Sequence, residues 1–188
     1  MSPFLYSLCQ KPVVGIAMMA ASLCEFPPLV KDASMKLDAA GSVVAVDVTV
    51  PVDLRYTLLL EMSNPAGESL SKQEVGILGD RRLEHCNDGI DLAKVSPKER
   101  AAYGRAMPFK VEVRRKSDNM LVHSRLVNTM CVASKWANQR SRSLGNIALV
   151  RGTYSLRVEN VAAQAGLERL SATVQLAPGT DKPLTAQR

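Results

Sequence analysis

The sequence is poor in aromatic residues, which make up 4% of its 188 residues and include one tryptophan. A nucleic-acid surface that stacks bases needs several exposed rings, so this composition disfavours one. The two histidines leave little for a histidine-rich metal site. The charged fraction of 22% is too low, and the apolar fraction of 46% too high, for a disordered chain. These proportions indicate one globular domain with a substantial core.

The sequence has no apolar run long enough to span a bilayer as a helix. The apolar run Pro12–Leu23 follows Lys11, the single charge among residues 1–23. As a helix it reaches roughly 18 Å, against a hydrocarbon core about 30 Å thick. A positive flank, a short apolar run and small residues at Ala20–Ser22 are typical of an export signal. Residues 1–23 are therefore predicted to be a signal peptide; a buried N-terminal helix is the alternative.

Two processing routes are open at this signal. Ala20-Ala21-Ser22 suits a cut after Ser22, which leaves Leu23 as the first residue. Alternatively, the stretch before Cys24 resembles a lipoprotein box, although Leu23 stands where a small residue is usual. Acylation of Cys24 would anchor the protein stably on a membrane. Both routes predict a periplasmic or cell-envelope location, with membrane anchoring in the second.

The chain has four cysteines, Cys9, Cys24, Cys86 and Cys131, and cleavage of the signal removes Cys9. If Cys24 is acylated, Cys86 and Cys131 remain as a pair in an oxidising compartment. A disulfide between them would contribute up to about 4 kcal/mol in the chain-entropy treatment. The sequence favours this disulfide, and two buried thiols that never meet are the alternative.

Alternation of apolar and polar residues dominates the rest of the chain. Five segments place apolar side chains at every second position, which is typical of half-buried antiparallel strands: 44–50, 56–62, 109–114, 154–159 and 169–176. A turn at Lys116–Asn119 predicts a hairpin onto residues 120–130, and residues 146–150 form a further short strand. We therefore expect a mainly β fold, an immunoglobulin-like antiparallel β-sandwich of about seven strands.

The domain plan follows from the breaks in this alternation. Residues 24–33 carry two prolines and are predicted to be a linker, residues 34–178 the sandwich, and residues 179–188 a loose tail. Residues 64–107 form an insertion with two short helices. One begins at the capping box Ser71–Glu74, and the other begins at Ser96-Pro97 and ends near Gly104.

Two resemblances support this plan. Gly152 and Tyr154 resemble the tyrosine corner of immunoglobulin-like sandwiches, which implies that the Tyr154 hydroxyl binds a nearby backbone group. Residues 36–178 resemble a family of bacterial envelope proteins known only as a domain of unknown function (the 5625 family), through the motifs 56–60, 77–80, 108–113 and 147–154. The resemblance implies an exported, often lipid-anchored β-sandwich and transfers no catalytic residue. Some small exported domains of this type are immunity proteins that block a toxin.

No constellation in the sequence points clearly to chemistry. His85, Cys86, Asp88 and Asp91 could bind a metal, or Cys86 could act as a nucleophile with His123 as its base. Their spacing fits no standard zinc pattern, and a polar loop held by one disulfide is the favoured interpretation. The chain has no Gly-x-Ser-x-Gly elbow and no glycine loop for phosphate. We therefore expect no catalytic residue, no metal, no cofactor and no enzymatic activity.

The chain carries a net charge of +6, and its basic residues gather in 110–116 and 135–142. A tryptophan flanked by Lys and Arg is typical of a binding hot spot for an acidic protein, whereas a solvated strand face and a polar loop are the alternative. The residues predicted to bind a partner are Lys135, Trp136, Arg140, Arg142 and Arg114.

The expected function is binding of a protein partner, with an immunity protein against a secreted antibacterial toxin as its specific form. Binding of a small ligand, glycan or lipid is the alternative, and export disfavours nucleic acid.

Overall fold

A computed structural model describes residues 27–80, 96–130 and 132–179, except for the side chains of residues 98, 100 and 101. The described residues form nine strands, two more than predicted. Their bounds are β1 Val30–Met35, β2 Ser42–Val50, β3 Leu54–Ser63, β4 Met107–Arg115, β5 Leu121–Thr129, β6 Val132–Trp136, β7 Gln139–Leu149, β8 Gly152–Asn160 and β9 Ser171–Pro178. The prediction of a mainly β sandwich is confirmed.

The strands form two antiparallel sheets. The five-stranded sheet has the order β1-β9-β3-β7-β6, and the four-stranded sheet has the order β2-β8-β4-β5. The chain crosses between the sheets at residues 51–53 and again at residues 150–151, where it leaves a strand of one sheet and enters a strand of the other. These two crossings lie at the same end of the sandwich, because Leu54 pairs with Leu149 and Val50 pairs with Gly152.

The core lies between the inner faces of the sheets. The alternation in the sequence predicted which side chains point inward, and the following ones are all buried: Tyr56, Leu58, Leu60, Met62, Phe109, Val111, Val113, Tyr154, Leu156, Val158, Ala172, Val174 and Leu176. Each large apolar side chain contributes about 1.5–3 kcal/mol by leaving water. Val46 is only partly buried, because β2 is an edge strand with a neighbour on one side.

Tyrosine corners close both crossings. The Tyr154 hydroxyl donates a hydrogen bond to Val150 O at 2.8 Å, which confirms the expected corner. The Tyr56 hydroxyl donates in the same way to Val52 O, also at 2.8 Å. The sequence gives no signal for this second corner, because no glycine lies two residues before Tyr56, whereas Gly152 lies two residues before Tyr154.

The insertion contains two short helices, as predicted: α1 spans Lys72–Leu78, and α2 spans Pro97–Arg100 and continues as a 3-10 turn through Tyr103. The capping box of α1 is present, since Ser71 Oγ accepts from Glu74 N at 3.2 Å and Glu74 Oε2 accepts from Ser71 N at 2.7 Å. Ser96 caps α2 similarly, because its Oγ accepts from Glu99 N at 3.3 Å.

A partly buried ion pair holds α1 to the loop between β8 and β9. The Arg169 guanidinium donates from Nε to Glu74 Oε1 at 2.6 Å and from Nη2 to Oε2 at 2.9 Å. These hydrogen bonds, with smaller contributions from Ser71, lower the pKa of the Glu74 carboxyl to about 2 although burial opposes the shift. Charge-assisted, two-pronged pairs of this kind fix geometry as well as adding stability.

Three segments differ from the sequence-based plan. β1 begins at Val30, inside the predicted linker 24–33; only Val30 and Met35 of this strand are buried, and its register is irregular, so it shows no alternation. The predicted polar loop 135–142 belongs to a β-hairpin, and the predicted strand 146–150 is the end of the longer strand β7. Gly145 lies within β7 at a register shift, not in a turn.

The strand β5 forms one edge of the four-stranded sheet. His123 pairs with Val113 and Arg125 pairs with Val111, so both polar side chains lie on the inner face of this edge strand. Arg125 is exposed and His123 is half-buried. Charged residues that point inward on an edge strand discourage the addition of another strand.

Several predictions fall on residues outside the described ranges. These are the signal peptide 1–23, acylation of Cys24, the disulfide between Cys86 and Cys131, and all but the first residue of the tail 179–188. Across the described ranges, none of the helices has the length and apolar character needed to cross a bilayer.

Candidate protein-binding site

The sole tryptophan lies on a hairpin at the edge of the five-stranded sheet. We call β6, the turn Ala137–Asn138 and the beginning of β7 the Trp136 hairpin. Trp136 pairs with Gln139, which in turn pairs with Ser63, so the indole lies on the outer face of the sheet. It is 67% exposed, the largest value among the exposed large apolar residues of the described chain. The hairpin thus presents a large amphipathic side chain to solvent.

Backbone hydrogen bonds from the insertion hold this hairpin. Leu70 N donates to Ala137 O at 2.9 Å, and Asn64 N donates to Asn138 O at 3.0 Å. Arg140 adds a third restraint, because its Nη1 donates to the carbonyl oxygen of Trp136 itself. The backbone that carries the indole is therefore fixed on both sides of the turn.

Asp80 connects two of the predicted basic residues. Its Oδ1 lies 3.3 Å from Lys135 Nζ and 3.2 Å from Arg140 Nη2. Lys135 Nζ also donates to the Asp80 backbone oxygen at 3.0 Å. Asp80 and Lys135 are both about half exposed, so this charge cluster is accessible. Lys135 pairs with Arg140, which pairs with the buried Met62, so the cluster lies on the face of the hairpin opposite the indole. In the sequence, Asp80 belongs to a motif of the family resemblance, and nothing there indicates that it is part of a binding site.

Arg142 is not a partner-binding residue, contrary to the prediction. It pairs with Leu60, so its side chain lies on the inner face of the sheet, where it is fully buried. Its guanidinium donates to five backbone oxygens, which belong to Ile77, Leu78, Tyr103, Arg105 and Thr129. The shortest of these hydrogen bonds, to Leu78 and Arg105, are 2.7 Å long, and the longest, to Tyr103, is 3.4 Å. Burial, and secondarily the charge of Arg105, lowers its pKa from 12.5 to about 10.

The position of Arg142 explains how the insertion is attached to the sandwich. Ile77 and Leu78 lie at the C-terminus of α1, where carbonyl oxygens have no partner within the helix and favour a cation. Gly79 and Gly104 meet at the same point, and a side chain at Gly104 would come within 2.5 Å of Gly79 N. Arg142 therefore joins α1, the 3-10 turn and β5 to β7, and its role is structural.

The prediction that Arg140 contacts a partner directly is also wrong. It pairs with Met62 and is only 7% exposed. Its guanidinium donates to Trp136 O and, at 2.9 Å, to Gln139 O, besides contacting Asp80. Its Nε has no hydrogen-bond partner within the described part of the chain. Arg140 supports the hairpin from behind and contributes charge to it without offering a surface.

Arg114 lies away from the hairpin. At one end of β4, Met107 pairs with Thr129, whose hydroxyl donates to Ser143 O of β7 at 2.6 Å. Arg114 lies seven residues farther along β4, about 23 Å at about 3.3 Å per residue, where it pairs with Leu121 and Ser155. The structure therefore places Lys135 and Trp136 on opposite faces of one hairpin, with Arg140 on the face of Lys135, and separates Arg114 from the hairpin.

The described residues offer no alternative chemical site of the kind considered from the sequence. No group of three or more His, Cys, Asp or Glu residues is placed to hold a metal within the described ranges. His123 lies on the edge strand β5, where burial and then the charge of Arg125 lower its pKa. Residues His85, Cys86, Asp88 and Asp91 lie outside the described part of the chain.

Comparisons with known proteins agree with the fold. The profile of a family described as a domain of unknown function, DUF5625, matches residues 32–178. A crystal structure of a protein from Sulfurospirillum deleyianum superposes with a TM-score of 0.61 at 20% identity, covering 84% of this chain and all of the other. At this identity the likeness concerns the fold alone. No curated protein matches the chain.

Proposed function

We propose that this chain, which belongs to the DUF5625 family of domains of unknown function, is a non-enzymatic cell-envelope β-sandwich that binds a protein partner through the Trp136 hairpin. The observation that carries the proposal is the exposure of Trp136 on a backbone that the insertion holds in place. Tryptophan and arginine are the residues most enriched at the energetic centres of protein interfaces.

The rigidity of the hairpin favours binding. An interface loses affinity when side chains and loops must be ordered during association, at about 0.5–1.5 kcal/mol for each immobilised side chain. The Trp136 carbonyl already accepts from Arg140, and both turn carbonyls accept from the insertion. A partner would therefore meet a surface that is largely formed before binding.

Charge near the hairpin favours an acidic partner. Lys135 and Arg140 share one carboxylate, Asp80, so the cluster keeps one excess positive charge on the same hairpin as the indole. The net charge of +6 for the whole chain would steer an acidic protein toward it. In the specific form of this proposal, the partner is a secreted antibacterial toxin, and the chain is its immunity protein in the periplasm, with or without an anchor at Cys24.

The test compares two exposed apolar residues on different faces. Full-length wild type, Trp136→Ala and Leu126→Ala are used to capture partners from envelope extracts and, where a toxin is captured, to protect cells against it. Leu126 is 61% exposed on β5 and serves as the matched control. We expect a stoichiometric protein partner with wild type and with Leu126→Ala, and at least a tenfold loss of affinity, about 1.4 kcal/mol, with Trp136→Ala.

Two results would contradict the proposal. Equal capture by Trp136→Ala and wild type would mean that the hairpin is not the binding surface. Thermal stabilisation of the wild type by an envelope glycan or lipid, lost in Trp136→Ala and without any protein partner, would support ligand binding in place of protein binding.

A further inference from the structure

The end of the sandwich opposite the Trp136 hairpin has its own surface chemistry. We call it the Val30 end; it consists of the two crossings at 51–53 and 150–151 and the β4–β5 turn at 116–120. β1 begins four positions along the sheet from it, because Val30 pairs with Leu176, which pairs with Leu58. β7 runs from Gln139, beside Trp136, to Leu149 at the Val30 end, about 30 Å away at about 3.3 Å per residue. The two surfaces therefore face in opposite directions along the strands.

Three of the exposed large apolar residues lie at or beside the Val30 end. Val150 and Met120 are each 48% exposed, and Leu121 is 43% exposed. Val150 lies in the crossing that precedes Gly152, and Met120 ends the turn that follows β4. Arg115 N donates to Met120 O at 2.9 Å and Lys116 N donates to Thr153 O at 2.9 Å, so the β4–β5 turn is hydrogen-bonded to β8, next to the crossing.

Basic residues also lie at this end: Arg55, Arg114, Arg115, Lys116 and Arg151. Two of them are paired within the protein, Arg115 with Asp118 and Lys116 with Asp47. The remaining acidic residue here is Asp53, which accepts from the Arg151 backbone N–H at 2.6 Å. The side chains of Arg55 and Arg151 are exposed and bind no acceptor among the described residues. Exposed apolar residues set among unpaired basic ones suit an anionic lipid surface.

The chain also joins this end to its most apolar segment. Leu29 N donates to Leu176 O at 2.7 Å, so the path of the backbone is fixed from Leu29 onward. β1 then runs away from the Val30 end, because it is antiparallel to β9, which is antiparallel to β3. Cys24 lies five residues before Leu29, and the apolar run 12–23 directly precedes Cys24. Five residues reach at most about 18 Å when fully extended, so any anchorage at Cys24 or in the run would keep Leu29 within this distance of the bilayer.

We infer that the Val30 end contacts an anionic bilayer surface, with Val150 and Met120 at the lipid boundary and Arg151 and Arg55 against the headgroups. The Trp136 hairpin then points away from the membrane. This inference concerns a surface different from the proposed partner site, so its failure would leave the role of Trp136 untouched.

A single-tryptophan experiment tests the orientation, because the chain has one tryptophan. The full chain is reconstituted with vesicles of phosphatidylcholine and phosphatidylglycerol whose acyl chains carry bromine, which quenches indole fluorescence at short range. Three proteins are compared: wild type, Val150→Trp in a Trp136→Phe background, and Val161→Trp in the same background. Val161 is 42% exposed at the far end, directly after β8, and is the matched control.

We expect quenching and a blue shift of emission for the tryptophan at position 150, and neither for those at positions 136 and 161. Met120→Trp in the same background repeats the test at a second position if the first variant folds poorly. Arg151→Glu should reduce binding to vesicles with phosphatidylglycerol relative to the matched change Lys72→Glu on exposed α1. An unquenched tryptophan at both 150 and 120, or equal quenching at both ends, would overturn the inference.

Discussion

Tyr56 and Tyr154 make the same hydrogen bond at two of the places where the chain crosses between the sheets, the β2–β3 and β7–β8 connections. Each hydroxyl donates to the backbone oxygen of the residue four positions earlier, Val52 and Val150 respectively, at 2.8 Å. Each ring is buried in the core. The two tyrosines therefore join the sheets to their crossings in the same way, and they fix the geometry of the Val30 end.

We expect Tyr56→Phe and Tyr154→Phe each to reduce the free energy of unfolding by about 1 kcal/mol, because each removes one hydrogen bond to a backbone oxygen. Urea denaturation measures this effect. Tyr103→Phe is the control, since Tyr103 is buried but its hydroxyl makes no hydrogen bond with the described residues. An equal loss in all three variants would show that the hydrogen bonds are not responsible.

Arg142→Lys should destabilise the protein by about 3 kcal/mol, because a single ammonium cannot satisfy the five backbone oxygens that the planar guanidinium reaches. The matched change Arg157→Lys, at an exposed ion pair with Glu159, should cost less than about 0.5 kcal/mol. Chemical denaturation of both variants gives the comparison. Similar stabilities would contradict a structural role for Arg142.

The Glu74–Arg169 pair should make stability depend on pH. The pKa of the Glu74 carboxyl is lowered from 4.5 to about 2 in the folded chain. Its contribution is therefore complete above pH 4.5 and is lost as the pH falls toward 2. In Glu74→Gln this titration is absent, so stability should fall less steeply with acid over that window than in wild type. Parallel slopes in denaturation series at several pH values would contradict the assignment.

Close backbone packing should make Gly104 intolerant of a side chain. Gly104 and Gly41 have similar positive φ values, 72° and 78°, but an added Cβ meets backbone atoms only at Gly104. We expect Gly41→Ala to cost about 1 kcal/mol from its backbone conformation alone. Gly104→Ala should cost a further 1–3 kcal/mol, because the contact with Gly79 must open. Thermal or urea denaturation of the two variants would measure the difference.

Intact-mass analysis of the protein from its native envelope tests the predictions about the cysteines. A cut after Ser22 leaves an unmodified chain that begins at Leu23, whereas acylation leaves a heavier species that begins at Cys24. A disulfide between Cys86 and Cys131 makes the non-reduced protein lighter than the reduced protein by two hydrogens. This mass difference should be absent from Cys86→Ser. Full-length protein with free thiols would contradict both expectations.

The sequence predicted the parts of the fold in which each residue's position depends on its near neighbours. Alternation at Tyr56–Met62 and at Phe109–Val113 corresponds directly to burial in a sheet, and the Ser71–Glu74 capping box involves residues three apart. β1 could not be predicted, since it has only two buried side chains and an irregular register.

The candidate site was predicted only in part, because its arginines depend on distant residues. Arg142 can be buried because the backbone oxygens of Leu78 and Ile77, which lie 64 and 65 positions away in the sequence, accept its hydrogen bonds. Arg140 meets Asp80, which lies 60 positions away. Trp136 could be identified because an isolated tryptophan among basic residues is a local signal. The separation of Arg114 depends on strand pairing, which composition does not specify.

The inward placement of His123 and Arg125 on β5 has a consequence for the behaviour of the protein at high concentration. A second molecule that extended the sheet along β5 would have to desolvate the Arg125 guanidinium and the half-buried imidazole. That penalty opposes fibre-like stacking of neighbouring copies along this side. This nine-residue edge strand is therefore protected against polymerisation even where copies of the protein are crowded together.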